Sequence, residues 1–133
     1  MKFMLDTNTC IYLIKKKSPK IISHFKKHKV GEIGISSITL AELEYGVAKS
    51  QYVEQNKIAL KEFILPLEIA PFDNKAAEIY GEIRSCLEKT GKPIGSMDTL
   101  IGAHAMSLDV TLATNNVREF KHIKNLKVVD WTI

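Results

Sequence analysis

Three acidic side chains stand where the surrounding pattern calls for apolar ones, and together they have the makings of a hard-cation site. Asp6 follows Phe3-Met4-Leu5 directly, which puts it at the carboxyl end of a first strand, the edge of an open α/β sheet where ligands bind. Glu42 lies in Ile38-Thr39-Leu40-Ala41-Glu42-Leu43-Glu44-Tyr45-Gly46, a helix apolar around most of its circumference, and shares a face with Ile38, Tyr45 and Gly46. Asp98 opens the helix Ser96-Met97-Asp98-Thr99-Leu100-Ile101-Gly102-Ala103-His104-Ala105, and its own face carries Gly102 and Ala105. A carboxylate among such neighbours needs a partner, a cation or water, because burying an uncompensated charge is costly. Each acid also has a plainer reading: Asp6 as a helix N-cap, Glu42 as a rim position that reaches solvent, Asp98 as a complement to a helix's positive end. The glycines one turn beyond Glu42 and Asp98 leave space for an ion and its waters, or equally permit close helix packing.

Other chemistries find less support. The Gly-rich phosphate loops G-x-x-x-x-G-K-[ST] and G-x-G-x-x-G are absent, and no Ser-His-Asp or Cys-His constellation has readable local context. Cys10 and Cys86 are far apart, lack C-x-x-C spacing, and read as buried free thiols of a reducing cytoplasm. Separated carboxylates without soft ligands suit Mg²⁺ or Mn²⁺, which take one or two protein carboxylates, several waters and often a phosphate oxygen. Carboxylates gathered closely repel one another, so without metal at least one should hold a raised pKa.

The elements that must position these acids alternate. The 133 residues, 45% hydrophobic and 26% charged, suit one compact domain spanning residues 1–133. No apolar run approaches the ~18 residues of a membrane span, and the amino terminus lacks the apolar core of a signal peptide. Residues 3–5 read as a strand, followed by Cys10, Ile11, Leu13 and Ile14 at helical spacing. Ser18 and Pro19 open a second helix. A strand over 33–36, helices over 38–49 and 52–64, a strand over 67–70 and a helix over 75–89 follow. Residues 91–95 are a loop, Ser96 is placed to cap a helix running to 108, and strands over 111–113 and 127–130 complete the chain. Such alternation predicts a three-layer α/β/α domain around a mainly parallel sheet of about four or five strands.

Charge is unevenly spread along the chain. Residues 7–31 contain Lys15, Lys16, Lys17, Lys20, Lys26, Lys27 and Lys29 and no Asp or Glu, and Arg118, Lys121, Lys124 and Lys127 form a second cluster. The net charge of +4 is moderate, so these runs are either a phosphate-attracting face or solvated surface.

Four ordered stretches resemble a known family: Phe3-Met4-Leu5-Asp6-Thr7-Asn8-Thr9, then residues 35–46 around Glu42, then residues 91–105 around Asp98, and finally Leu112-Ala113-Thr114-Asn115-Asn116-Val117-Arg118-Glu119-Phe120. They resemble the signatures of PIN-domain ribonucleases, and more narrowly of VapC toxins of bacterial toxin-antitoxin pairs, from Phe3 to Trp131. The resemblance implies a PIN fold, a Mg²⁺- or Mn²⁺-dependent endoribonuclease leaving 5′-phosphate and 3′-hydroxyl ends, homodimerisation, and a cognate VapB antitoxin through which DNA is met only indirectly. Similar toxins cut the anticodon stem-loop of initiator tRNA, which makes that RNA the expected substrate.

The acidic site of the family maps onto Asp6, Glu42 and Asp98, with Asp6 and Asp98 as direct metal ligands and Glu42 acting through water or positioning the nucleophile. Asn8, Thr114, Asn115 and Asn116 are the expected hydrogen-bonding residues for metal water or RNA phosphate. Many PIN domains carry a fourth acid where Asn116 stands; Glu119 is near enough in sequence to substitute, or is a surface partner of a basic residue. Two other readings remain open on the residues: a binding module without catalysis, and a haloacid-dehalogenase-like phosphatase, which needs a second Asp where this chain has Asn8.

Overall fold

The computed structural model describes residues 1–133. Five short strands, β1 (Phe3–Leu5), β2 (Ile33–Ser36), β3 (Glu68–Ala70), β4 (Thr111–Ala113) and β5 (Val128–Val129), pair in parallel in the order β3-β2-β1-β4-β5. Parallel neighbours cannot be joined by a tight turn, so helices fill the connections. These are α1 (Thr7–Ile14), α2 (Pro19–Lys26), α3 (Ser37–Ala48), α4 (Val53–Ile64), α5 (Asn74–Lys89), α6 (Ser96–Ser107) and α7 (Val117–Phe120). The expected α/β/α layering and parallel sheet are borne out.

Successive strand residues feed opposite cores, as the two-residue period requires. Leu5 packs on one face with Cys10, Ile21, Ile35, Leu43 and Leu60, which come from β2 and α1 to α4. Met4 packs on the other with Leu87, Ile101, Leu112 and Phe120, from β4 and α5 to α7. Both faces of the sheet are therefore covered, which explains why the central strand β1 reads as an unbroken apolar run.

The strand order reverses at β1. The chain moves outward from β1 through β2 to β3, then returns to place β4 on the opposite side of β1. The crevice outside the carboxyl ends of β1 and β4 is the switch point at which open α/β sheets bind ligands. Asp6 and Thr114 are the first residues past those two strands.

Several expectations need correction. Ser96 is the first residue of α6 rather than its cap; Gly95 occupies the cap position, with no side-chain cap bond. Its carbonyl instead accepts from the Thr99 hydroxyl at 2.9 Å. Cys10 is buried, but Cys86 is exposed. A Cβ on Gly46 would meet nothing within 4 Å, so that glycine does face open space, whereas one on Gly102 would stand 2.6 Å from Ile123 Cδ1. Gly102 thus serves close packing against Ile123 and is not a space left for an ion.

Ser18 caps α2 as expected, accepting from the Ile21 N–H. His24 and His28, spaced like a metal pair, instead stack on Trp131 with centroids 5.6 and 5.7 Å away. That stacking draws the carboxyl end of the chain onto lysine-rich α2. No helix is long and apolar enough to cross a membrane.

Two glycines have backbone reasons. Gly91 ends α5 at φ +69°, and the Lys92 N–H reaches back to the Leu87 carbonyl at 2.9 Å, the 6→1 bond that closes a helix. Gly34 in β2 is pressed against β3: an added Cβ would lie 2.5 Å from the Glu68 carbonyl oxygen, a backbone atom with little freedom to retreat. Gly34→Ala is expected to cost about 1–3 kcal/mol by overpacking, read as a lowered midpoint of urea unfolding.

Candidate active site

Asp6 has two functions, and the helix-cap reading describes only one of its oxygens. Its Oδ1 accepts from the Thr9 N–H at 2.9 Å and caps α1. Its Oδ2 accepts from the Thr114 hydroxyl at 2.5 Å, across the gap between β1 and β4. The Thr9 hydroxyl donates to the Ala113 carbonyl at 3.2 Å, a second tie between the same two strand ends. Asp6 is buried at 3% exposure, so these bonds hold a carboxylate that water barely reaches.

The end of β2 supplies the second acid. Ser36 closes that strand and caps α3, which carries Glu42 a turn and a half further on. Glu42 Oε1 accepts from the Thr7 hydroxyl at 2.6 Å, which joins α3 to the first turn of α1, directly beside Asp6. Glu42 is half-buried and lines a groove of about 380 Å³ between α1, α3 and α4, with Gly46, Lys15 and Lys49.

Asp98 enters from the first turn of α6, and Glu119 from α7. Glu119 Oε1 accepts from the Gly95 N–H at 2.9 Å and its Oε2 accepts from Asn116 Nδ2 at 2.5 Å. A Cβ on Gly95 would stand 3.7 Å from both Asp98 Oδ2 and Glu119 Oε1, so the two carboxylates flank the same bare backbone. Burial, then the negative charge and hydrogen bond of Glu119, then Asp6 and Glu42, push the Asp98 carboxyl up to about 6. The expected raised acid is therefore Asp98. None of the ion pairs in the molecule involves Asp6, Glu42, Asp98 or Glu119.

Glu119 thus has an amide and another carboxyl for neighbours, and its reading as a surface partner of a basic residue finds no ion pair. Thr114 bonds Asp6, and Asn116, whose own N–H donates to Thr114 Oγ1 at 2.9 Å, braces Glu119. Asn115 is exposed and reaches only the Tyr12 hydroxyl at 3.5 Å. Asn8 is exposed and is bonded to none of the four acids. Thr7, Thr9 and the Gly95 N–H stand in quoted motifs without an assigned role; hydroxyls at positions one and three after a strand-ending acid were the available signal for the first two.

No three acidic, histidine or cysteine side chains come close enough to make a ready cage for a metal. The donor chemistry nonetheless fits a hard cation: the groups are all oxygens, no basic side chain neutralises them, and Mg²⁺ needs only one or two carboxylates with water completing its shell. Cys10, one turn beyond Asp6, does not compete as a ligand, since burial and the Asp6 charge push its thiol up.

Comparison with known proteins supplies the family. Residues 3–126 match the PIN domain family. The chain is 46% identical over 132 residues to Ribonuclease VapC2 of Rickettsia felis, covering 98% of each. It is 40% identical over 132 residues to the tRNA(fMet)-specific endonuclease VapC of Shigella flexneri, covering 99% of each. The solved structure of DNA-bound VapBC from Salmonella typhimurium superposes with a TM-score of 0.94 at 44% identity, covering 98% of both chains. With a family match over most of its length and relatives this similar across both full chains, the chain belongs to the PIN-domain family and, within it, to the VapC ribonucleases.

Proposed function

We propose that this chain is a Mg²⁺- or Mn²⁺-dependent endoribonuclease, the toxin of a VapBC-type pair, acting in the cytoplasm on the anticodon stem-loop of initiator tRNA. The observation that carries the proposal is the group of four carboxylates that no basic side chain neutralises at the crevice between β1 and β4. The tRNA substrate is supported by the 40% identity to the Shigella flexneri enzyme, whose name specifies tRNA(fMet). A VapB-type antitoxin partner is supported by the likeness to the toxin chain of the Salmonella typhimurium VapBC complex, where DNA is also bound. In this reading the chain forms a homodimer and meets DNA only through the antitoxin.

Asp6 and Asp98 would hold the ion, with Glu42 and Glu119 acting on its waters or on a second ion. When bound, the ion lowers the pKa of a coordinated water and offsets charge on the leaving oxygen. The chain's own residues do the rest. Thr114 and the Thr9 N–H leave Asp6 a fixed carboxylate orientation, and Thr7 does the same for Glu42. Lys15 and Lys49 beside Glu42, with Lys16 and Lys17 between α1 and α2 and Lys20 and Lys26 on α2, bind the RNA backbone, so affinity falls steeply with salt. Unpaired loop nucleotides suit the site because their bases are unstacked and reachable. A phosphatase route through Asp6 lacks its second acid, since Asn8 stands in that place, exposed and bonded to none of the site's carboxylates.

Two measurements test the proposal. Purified protein should cleave initiator tRNA with Mg²⁺ or Mn²⁺ and not with EDTA, and Asp6→Asn and Asp98→Asn should each lower the rate on the order of 10³-fold, several kcal/mol of transition-state charge stabilisation. Cleavage that survives in EDTA and in both variants would overturn it, and RNA binding equal in EDTA and Mg²⁺ without turnover would identify a binding module instead. The second is pH dependence. With its carboxyl held near 6, metal-free folded protein keeps a proton on Asp98 that the unfolded chain releases near 3.8. That proton stabilises the fold in acid, the benefit fades as pH rises through about 6, and a metal must displace the proton to bind. Mn²⁺ affinity measured by titration should therefore fall as pH drops below about 6, and in Glu119→Gln the fall should begin at lower pH.

A further inference from the structure

His104 is the one buried histidine, 1% exposed, in α6 six residues beyond Asp98. Its Nδ1 lies 2.7 Å from the hydroxyl of Ser36, which is 0% exposed and ends β2 six residues before Glu42. The two helices that deliver Asp98 and Glu42 are thus joined by one side-chain hydrogen bond between residues 68 apart in sequence.

The neighbours of the two groups suit a bond in which Ser36 donates. The Ser36 hydroxyl already accepts from the Ile38 N–H at 3.0 Å, as the cap of α3. Its single proton is free to go to Nδ1 when the ring carries its own proton on Nε2. The ring also has the Pro71 backbone as a hydrogen-bond partner, and no buried side-chain polar atom is left without a partner. A charged imidazole would put a second donor against a hydroxyl whose own proton then has no acceptor. The surroundings favour the neutral ring: burial lowers its pKa, the edge-on Phe72 ring sits 5.3 Å away, and Asp73 is the one charged group whose field reaches it, pulling the other way.

An apolar pair would fill this space with no desolvation penalty, but it would leave α3 free to slide against α6. A directional bond between uncharged groups fixes their register. We infer that His104 is a positioning residue: as a neutral imidazole bonded to Ser36, it sets the spacing of Asp98 from Glu42. The inference rests on the ribonuclease reading only for its effect on rate; the coupling of the two helices stands apart from it.

The test uses the full chain and the variants His104→Leu, Ser36→Ala, their double variant, and Ser36→Thr, which keeps the hydroxyl. His104→Leu and Ser36→Ala should each lower kcat on initiator tRNA and Mn²⁺ affinity by about 10–100-fold, the usual effect of removing a group that orients a metal ligand, with KM nearly unchanged. The double variant should be no worse than the poorer single one, because both break the same bond. Ser36→Thr should restore both values. Nitrogen NMR of the wild-type ring should show a bare Nδ1 and a protonated Nε2, and the amide signals of Glu42 and Asp98 should both move in Ser36→Ala. Additive losses, wild-type kcat and Mn²⁺ affinity in folded His104→Leu, or unmoved amides at Glu42 and Asp98 would overturn the inference. Should His104→Leu fail to fold, the comparison of Ser36→Ala with Ser36→Thr decides it. Should wild-type protein neither cleave RNA nor bind Mn²⁺, the ribonuclease reading fails, and the amide shifts alone decide the coupling.

Discussion

Mutual repulsion among four carboxylates is the constraint around which this small protein is organised. Nothing basic relieves it: the ion pairs of the chain lie elsewhere, and Asp98 answers by holding its proton up to about pH 6. Bringing such groups together costs stability, and the fold meets that cost with neutral donors. Threonine hydroxyls hold Asp6 and Glu42, a backbone N–H and an asparagine amide hold Glu119, and each such bond orients a carboxylate without discharging it. The result is a crevice of carboxylates that no basic side chain of the chain pairs with.

The sheet makes this arrangement possible. Because β1 lies between β2 and β4, the first residue past it has neighbours on both sides, one contributed early in the chain and one late. Asp6 is bonded to β4's Thr114, and Thr7 to α3's Glu42. The two apolar cores on either face keep those helices in place. The polar Ser36 and His104 sit at the seam between the helix layers, where apolar contact alone leaves sliding free.

Much of this could be read from residue order. The strand ending in Asp6, the helix that begins at Ser37 and the alternation of elements all follow from periodicity and turn chemistry, which act over a few residues. What resisted reading depended on contacts between distant segments. Gly46 and Gly102 have the same spacing from an acid, yet one faces a groove and the other Ile123, and only the packing partner distinguishes them. Ser96 is a good cap by type, but Gly95 takes the cap position and its N–H goes to Glu119, a residue on another helix. Glu119 had two readings because its neighbour Arg118 is local and its true neighbour Asp98 is not. Cys86 occupies a helix as expected, and nothing nearby in sequence indicates that its side of α5 is open.

The insertion of β4 beside β1 also governs when the crevice comes into being during synthesis. Asp6 and Glu42 leave the ribosome well before Thr114 and Glu119, and Asp6 lacks its second bond until Thr114 arrives. Because a long loop must close before those contacts can form, the nascent polypeptide carries an incomplete centre for most of its translation.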